Sequence, residues 1–132
     1  MRSAHIRRFA ELEELDWGKG VTARLLVNQD QGAETITTGT THFAPGSDLP
    51  LHTHNCDEVV TVIEGEAIAE VDGHSYELVV NDTTFVPEGI SHRFQNRGAG
   101  RMSILWSYPS GHVTRTIVGT GLTIDDLTPP NQ

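Results

Sequence analysis

The sequence predicts an all-β protein built as a single domain. Three observations carry that prediction. Apolar residues recur in short runs rather than along helical faces. The 13 glycines and 6 prolines of the 132-residue chain fall largely at the joints between those runs. Several runs alternate with period two: Ala67, Ala69 and Val71 oppose Glu66 and Glu70, and Met102, Ile104, Trp106 and Tyr108 share one face. About ten such strands at close spacing predict a β-sandwich or barrel.

The N-terminal stretch is mixed. Residues 3–15 read as an extended start followed by a short helix over Phe-Ala-Glu-Leu-Glu-Glu-Leu, which Asp16 to Gly20 ends. Trp17 reads as an anchor for this arm. Val21 to Val27 is the first clear strand, and Asn28 to Gly32 is a turn. Glu34 to Ala44 is a long threonine-rich strand that Gly39 interrupts, the mark of a bulge or bend. Asp48 to His54 and Glu58 to Glu64 follow. Glu66 to Val71 and His74 to Val80 flank Asp72-Gly73, a hairpin signal. Thr83 to Val86, a segment opened by His92, Arg101 to Tyr108 and His112 to Val118 complete the strands. Thr123 to Leu127 reads as a capped helical turn, and Pro129 to Gln132 as a loose tail. The expected organisation is an arm over 1–20, a barrel over 21–118 and a tail over 119–132.

Composition excludes several functions. A formal charge of −9 argues against a nucleic-acid backbone and an anionic membrane surface as partners. No apolar run approaches the ~20 residues of a membrane span. Arg2, Arg7 and Arg8 precede no apolar core, so no secretory signal is expected. The single cysteine excludes an internal disulfide and fits a cytoplasmic location. Serine-nucleophile, phosphate-loop and Cys-x-x-Cys motifs are absent from the sequence.

The chemistry concentrates in two stretches. His52 and His54 lie two apart on an extended segment, so both imidazoles face one way. Glu58 has the same parity and brings a carboxylate to that point if the chain turns between them. His92 follows the turn signal Pro87-Glu88-Gly89, with Phe94 and Asn96 on its face. Two imidazoles and a carboxylate form a partial site for a divalent transition metal, and His92 is the candidate fourth ligand. Three nitrogens and one oxygen leave two positions on a six-coordinate ion such as Mn, Fe, Co or Ni, whereas Zn prefers four ligands. Cys56 shares this parity, but its thiol is better read as a small, partly buried group. His42 and His112 are expected at the surface or a subunit contact. Arg93, Arg101 and Arg115 would serve a substrate carboxylate only if directed inward.

The two stretches resemble the paired motifs of the cupin superfamily. Gly46, His52, His54, Glu58 and Gly65 keep the spacing of the first motif, and Pro87, Gly89, His92 and Asn96 that of the second. Asn81 stands where the second motif usually begins with Gly. Asn is the next most tolerant residue at positive φ. The resemblance implies a jelly-roll barrel holding one metal ion per chain on His52, His54, Glu58 and His92. It also implies a small-molecule substrate contacted by Phe94, Trp106 and Tyr76, and pairing as a homodimer. Three-His, one-Glu cupins imply a dioxygenase, an oxidoreductase in which Glu58 stays a ligand or detaches as a base. Non-redox isomerases, cyclases, decarboxylases and lyases on the same site, and a binding module without turnover, are the rival expectations.

Overall fold

Alternating sequence becomes twelve strands among residues 2–129, the part of the chain that this computed structural model describes. Met1 and Pro130 to Gln132, most of the expected loose tail, lie outside those residues. The strands are β1 (Leu15–Gly18), β2 (Val21–Val27), β3 (Thr37–Phe43), β4 (His52–His54), β5 (Glu58–Glu64) and β6 (Ala67–Val71). They continue as β7 (His74–Leu78), β8 (Thr83–Val86), β9 (His92–Gln95), β10 (Met102–Tyr108), β11 (Thr114–Ile117) and β12 (Thr123–Asp125). They form two six-stranded sheets, ordered β1-β2-β3-β10-β5-β8 and β12-β11-β4-β9-β6-β7. The named pairings within them are antiparallel, and the chain crosses repeatedly between sheets, as in a jelly roll.

The inward parity of each strand builds one core. Val60 and Val62 on β5, Ala67 and Ala69 on β6, Phe94 on β9, and Met102, Ile104, Trp106 and Tyr108 on β10 pack together with Val21, Phe43 and Val113. Each such valine or aromatic contributes roughly 1.5–3 kcal/mol by leaving water. Asp72 and Gly73 both take positive φ, 50° and 81°, which matches the twist of the β6–β7 hairpin. Asn81 sits at φ 79°, so asparagine does fill a left-handed position there. Asn96 closes the second motif structurally. Its amide donates to the carbonyls of Phe43 and Gly100, and its side-chain oxygen accepts from Gly98.

Several expectations change. The predicted N-terminal helix is one 3₁₀ turn over Phe9–Glu11 with none of its residues buried. A helix this short is marginal without a packed apolar face. Leu15 to Gly18, read as the end of that helix, is instead a strand, because β2 offers it an open edge. Thr123–Asp125 is likewise a strand rather than a helical turn. β-branched Thr123 and Ile124 suit it, and β11 pairs with it, with the Thr116 and Thr123 hydroxyls 2.8 Å apart. The segments expected as arm and tail thus each supply an edge strand. Gly39 is not itself bulged. The register shift lies on β2 between Leu25 and Val27, opposite Gly39 and Thr38. β7 stops at Leu78, leaving Val79 and Val80 exposed in the turn toward Asn81.

Candidate metal centre

β4, β5 and β9 bring the candidate ligands together. His52 and His92 are directly opposed across β4 and β9, and His54 follows two residues along the same face. Their ring nitrogens lie within 4.8 Å of one another. Glu58, at the start of β5, places Oε1 3.0 Å from His92 Nε2 and 3.4 Å from His54 Nε2. All four side chains are buried. Cys56 lies outside this group of nitrogens and packs against the core edge. Burial, and then the charges of Glu58 and Asp126, push its thiol up to about 11.

Backbone carbonyls orient all three rings. His52 Nδ1 donates to Pro50 at 2.7 Å, His54 Nδ1 to Thr114 at 3.0 Å and His92 Nδ1 to Ile90 at 2.9 Å. A carbonyl only accepts, so each Nδ1 carries its hydrogen, which leaves Nε2 as the ring atom that faces the centre. Such outer partners fix the tautomer of a metal ligand. His54 and His92 then turn Nε2 toward the same oxygen of Glu58, at 3.4 and 3.0 Å. A proton or a metal cation between these atoms satisfies the arrangement. Burial disfavours a charged His54, but Glu58 and Asp126 outweigh it and raise its pKa. Burial likewise opposes ionisation of Glu58, yet the His54 and His92 bonds hold it well below the usual carboxylate range. His52 shifts the other way: burial, Arg115 and the neighbouring imidazoles keep it neutral. This donor set of imidazole nitrogens and one carboxylate fits a divalent transition metal.

The centre opens on a cavity of about 40 Å³. Phe94, Ile104 and Trp106 wall it, with Trp17 from the edge strand β1 and Leu127 just past β12. The Trp106 ring runs over Gly39 and donates Nε1–H to Thr41 Oγ1 at 2.8 Å. Tyr76, expected in the pocket, is 52% exposed on β7 and does not line the cavity. Tyr108 takes a place there that the sequence reading did not assign. Its hydroxyl is 3.3 Å from His54 Nε2, and burial, reinforced by Asp126 and Glu58, drives its pKa well above the ordinary value. Its shared parity with Trp106 was the available signal. Arg115, expected to serve a substrate carboxylate only if directed inward, is buried and lines the cavity, and Asp126 beside it was unassigned. Arg115 opposes His54 across β11 and β4 and donates Nε–H to Asp126 Oδ1 at 2.7 Å. Arg93, by contrast, points away and pairs with Glu70 at 2.9 Å. His112 is exposed, but His42 is buried. His42 bonds Ser103 at 2.7 Å beneath the edge of Phe9, because the N-terminal segment covers that part of the sheet.

A sequence model of the Cupin domain family matches residues 39–108, more than half of the chain. The chain belongs to this family. As a cupin it is 25% identical over 111 residues to Auxin-binding protein 1 of Arabidopsis thaliana, across 76% of this chain and 56% of that protein. The chain spans about half the length of the curated relatives it matches. The polyketide cyclase RemF of Streptomyces resistomycificus superposes with a TM-score of 0.75 at 18% identity, covering 90% of this chain and 89% of its own. An oxalate decarboxylase of Bacillus subtilis, OxdC, a protein with Mn(II) centres, superposes with a TM-score of 0.74 at 24% identity. That match covers 84% of this cupin and 31% of the decarboxylase. Identities this low speak to the fold alone.

Proposed function

We propose that this cupin is a metal-dependent enzyme of small molecules, with an oxidoreductase of the dioxygenase kind as its first reading. The observation that carries it is the set of three carbonyl-oriented imidazoles and Glu58 converging at the wall of an apolar cavity. His52, His54, His92 and Glu58 would hold one Mn, Fe, Co, Ni or Zn ion. When bound, that ion supplies Lewis acidity and, for the redox-active metals, electrons. Phe94 and Trp106 exclude water and give a substrate a flat apolar bed. Glu58, ionised and facing two imidazoles, is placed to accept a proton if one of its oxygens leaves the metal.

A second reading is non-redox chemistry of the isomerase, cyclase, decarboxylase or lyase kind. Tyr108 favours it, because a buried phenol that keeps its proton can donate a hydrogen bond to a developing enolate. Pairing as a homodimer and a cytoplasmic location belong to the same proposal. Exposed Val59, Ile63 and Phe85 on β5 and β8 are apolar surface that a second copy would cover.

The test is elemental analysis of protein purified without a metal-affinity tag, followed by an oxygen-electrode screen of phenolic and enol substrates. About one metal per chain with oxygen uptake supports the dioxygenase. Metal with turnover only under anaerobic conditions selects the second reading. No metal, before or after reconstitution, overturns both.

A further inference from the structure

The metal centre shares its cavity with a buried cation. Arg115 and Asp126 line the same space as His52, Glu58 and His92. Arg115 is 7% exposed, and its guanidinium lies over the Trp17 ring, 4.5 Å from the centroid. Its one hydrogen bond among the described residues is the Nε–H to Asp126. The two terminal nitrogens, the paired donors suited to a carboxylate, make none. Burial disfavours the charge of Arg115, but Asp126 and Tyr108 more than restore it, so it stays a cation.

The charges then decide what else the cavity accepts. Glu58 and Asp126 are two carboxylates, and Arg115 is one guanidinium, so together they carry one negative charge. A divalent ion on the imidazoles reverses this to one net positive charge. An uncompensated charge in an apolar enclosure is costly, and a bound monoanion removes it. The space beside the ligands is limited, about 40 Å³, which favours a small anion. A dianion such as a phosphate monoester would overshoot the balance.

Resting on the metal-centre reading above, we infer that the substrate is a small monocarboxylate whose carboxylate is held by the terminal nitrogens of Arg115, with Trp17 covering the guanidinium. Asp126 keeps the guanidinium in place and is a positioning residue. Trp17 comes from the edge strand β1 and Asp126 directly follows the edge strand β12, so both edge segments help define specificity.

The experiment is calorimetric titration of Mn(II)-loaded full chain, its metal content measured first. Three probes are compared: pyruvate, its uncharged analogue 2,3-butanedione, and inorganic phosphate. Arg115→Gln alone strands Asp126 in the cavity, so the double variant Arg115→Gln/Asp126→Asn, which keeps the pair uncharged and hydrogen-bonded, is the working control. The expected result is that pyruvate binds at least tenfold tighter than butanedione and tighter than phosphate. The double variant leaves the cavity's net charge unchanged, so it should keep its metal and melt as one cooperative unit, yet bind pyruvate at least tenfold more weakly because the guanidinium contact is gone. Equal affinity for pyruvate and butanedione in the wild type, or an unchanged pyruvate affinity in the double variant, overturns the inference while the metal centre stands. Tighter binding of phosphate overturns the carboxylate assignment. Failure of the wild-type chain to take up metal overturns the metal-centre reading, and this inference with it.

Discussion

Gly39→Ala is a sharp test of how β3 and β10 shape the cavity. A Cβ at this position would stand 2.5 Å from Trp106 Cζ2, 2.6 Å from Trp106 Cη2 and 2.6 Å from the Arg24 carbonyl oxygen. None of these can yield cheaply. The indole is wedged between sheet and core with Nε1 tied to Thr41, and the carbonyl belongs to the neighbouring strand at its bulge. Ordinary overpacking by one methyl costs about 1–3 kcal/mol, and two rigid obstacles place this case at about 3 kcal/mol. For 132 residues the unfolding entropy is roughly 0.28 kcal/mol per kelvin, so the melting temperature should fall by about 10 °C. Differential scanning calorimetry reads the shift, and tryptophan near-UV circular dichroism reads the displaced ring. In a Trp106→Phe background the penalty should shrink but not vanish, since the ring edge recedes and the Arg24 carbonyl remains. A Gly39→Ala chain melting within about 2 °C of wild type, with an unchanged tryptophan signal, would refute the reasoning.

Three further outcomes are expected. Mn(II), Ni(II) or Zn(II) at about one hundred times its Kd should stabilise the chain by about 2.7 kcal/mol in a thermal-shift assay, and His52→Ala should lose most of that gain. A wild-type melting temperature indifferent to all three ions would count against the donor set. Cys56 should resist alkylation: with its thiol pushed up to about 11, the thiolate fraction at pH 8 is about one in a thousand, against about one in ten for an ordinary thiol. Iodoacetamide labelling of native protein followed by mass spectrometry checks this, and rapid modification at pH 8 would contradict it. Burial, with Arg101 and Arg24, lowers the folded pKa of His42 below 6.5, while Glu64 and Glu14 pull the other way. Its stabilising contribution is therefore complete above pH 6.5 and is lost as pH falls through the folded value, because the unfolded chain takes up the proton first. Melting temperature against pH should fall less steeply on the acid side for His42→Gln than for wild type, and parallel curves would exclude the effect.

The difference between what was legible and what was not follows the range of the interactions. Parity along a strand is a local property, so the common face of His52 and His54, the inward row Met102 to Tyr108 and the Asp72-Gly73 hairpin could be read without the fold. The jelly roll itself was implied by the cupin resemblance that the motif spacings carry. The edges were not legible. Leu15 to Gly18 and Thr123 to Asp125 carry weak local preferences, and they became strands because β2 and β11 offered unpaired backbone.

The site divides along the same line. Sequence by itself determined the candidate ligands, because each motif holds its donors a few residues apart on a stiff extended backbone. It also supplied the alternation that turns Phe94 and Trp106 inward. Tertiary structure decided which groups share the cavity with them. Alternation puts a residue on a face, but it does not say which sheet that face meets or which distant charge it finds. So Tyr76 ended exposed while Tyr108 reached His54, and Arg93 paired outward with Glu70 while Arg115 turned in to Asp126. Buried charges take whichever partner the closed barrel brings within reach. Asp126, eleven residues from Arg115 in sequence, becomes that partner only when β12 folds back along β11.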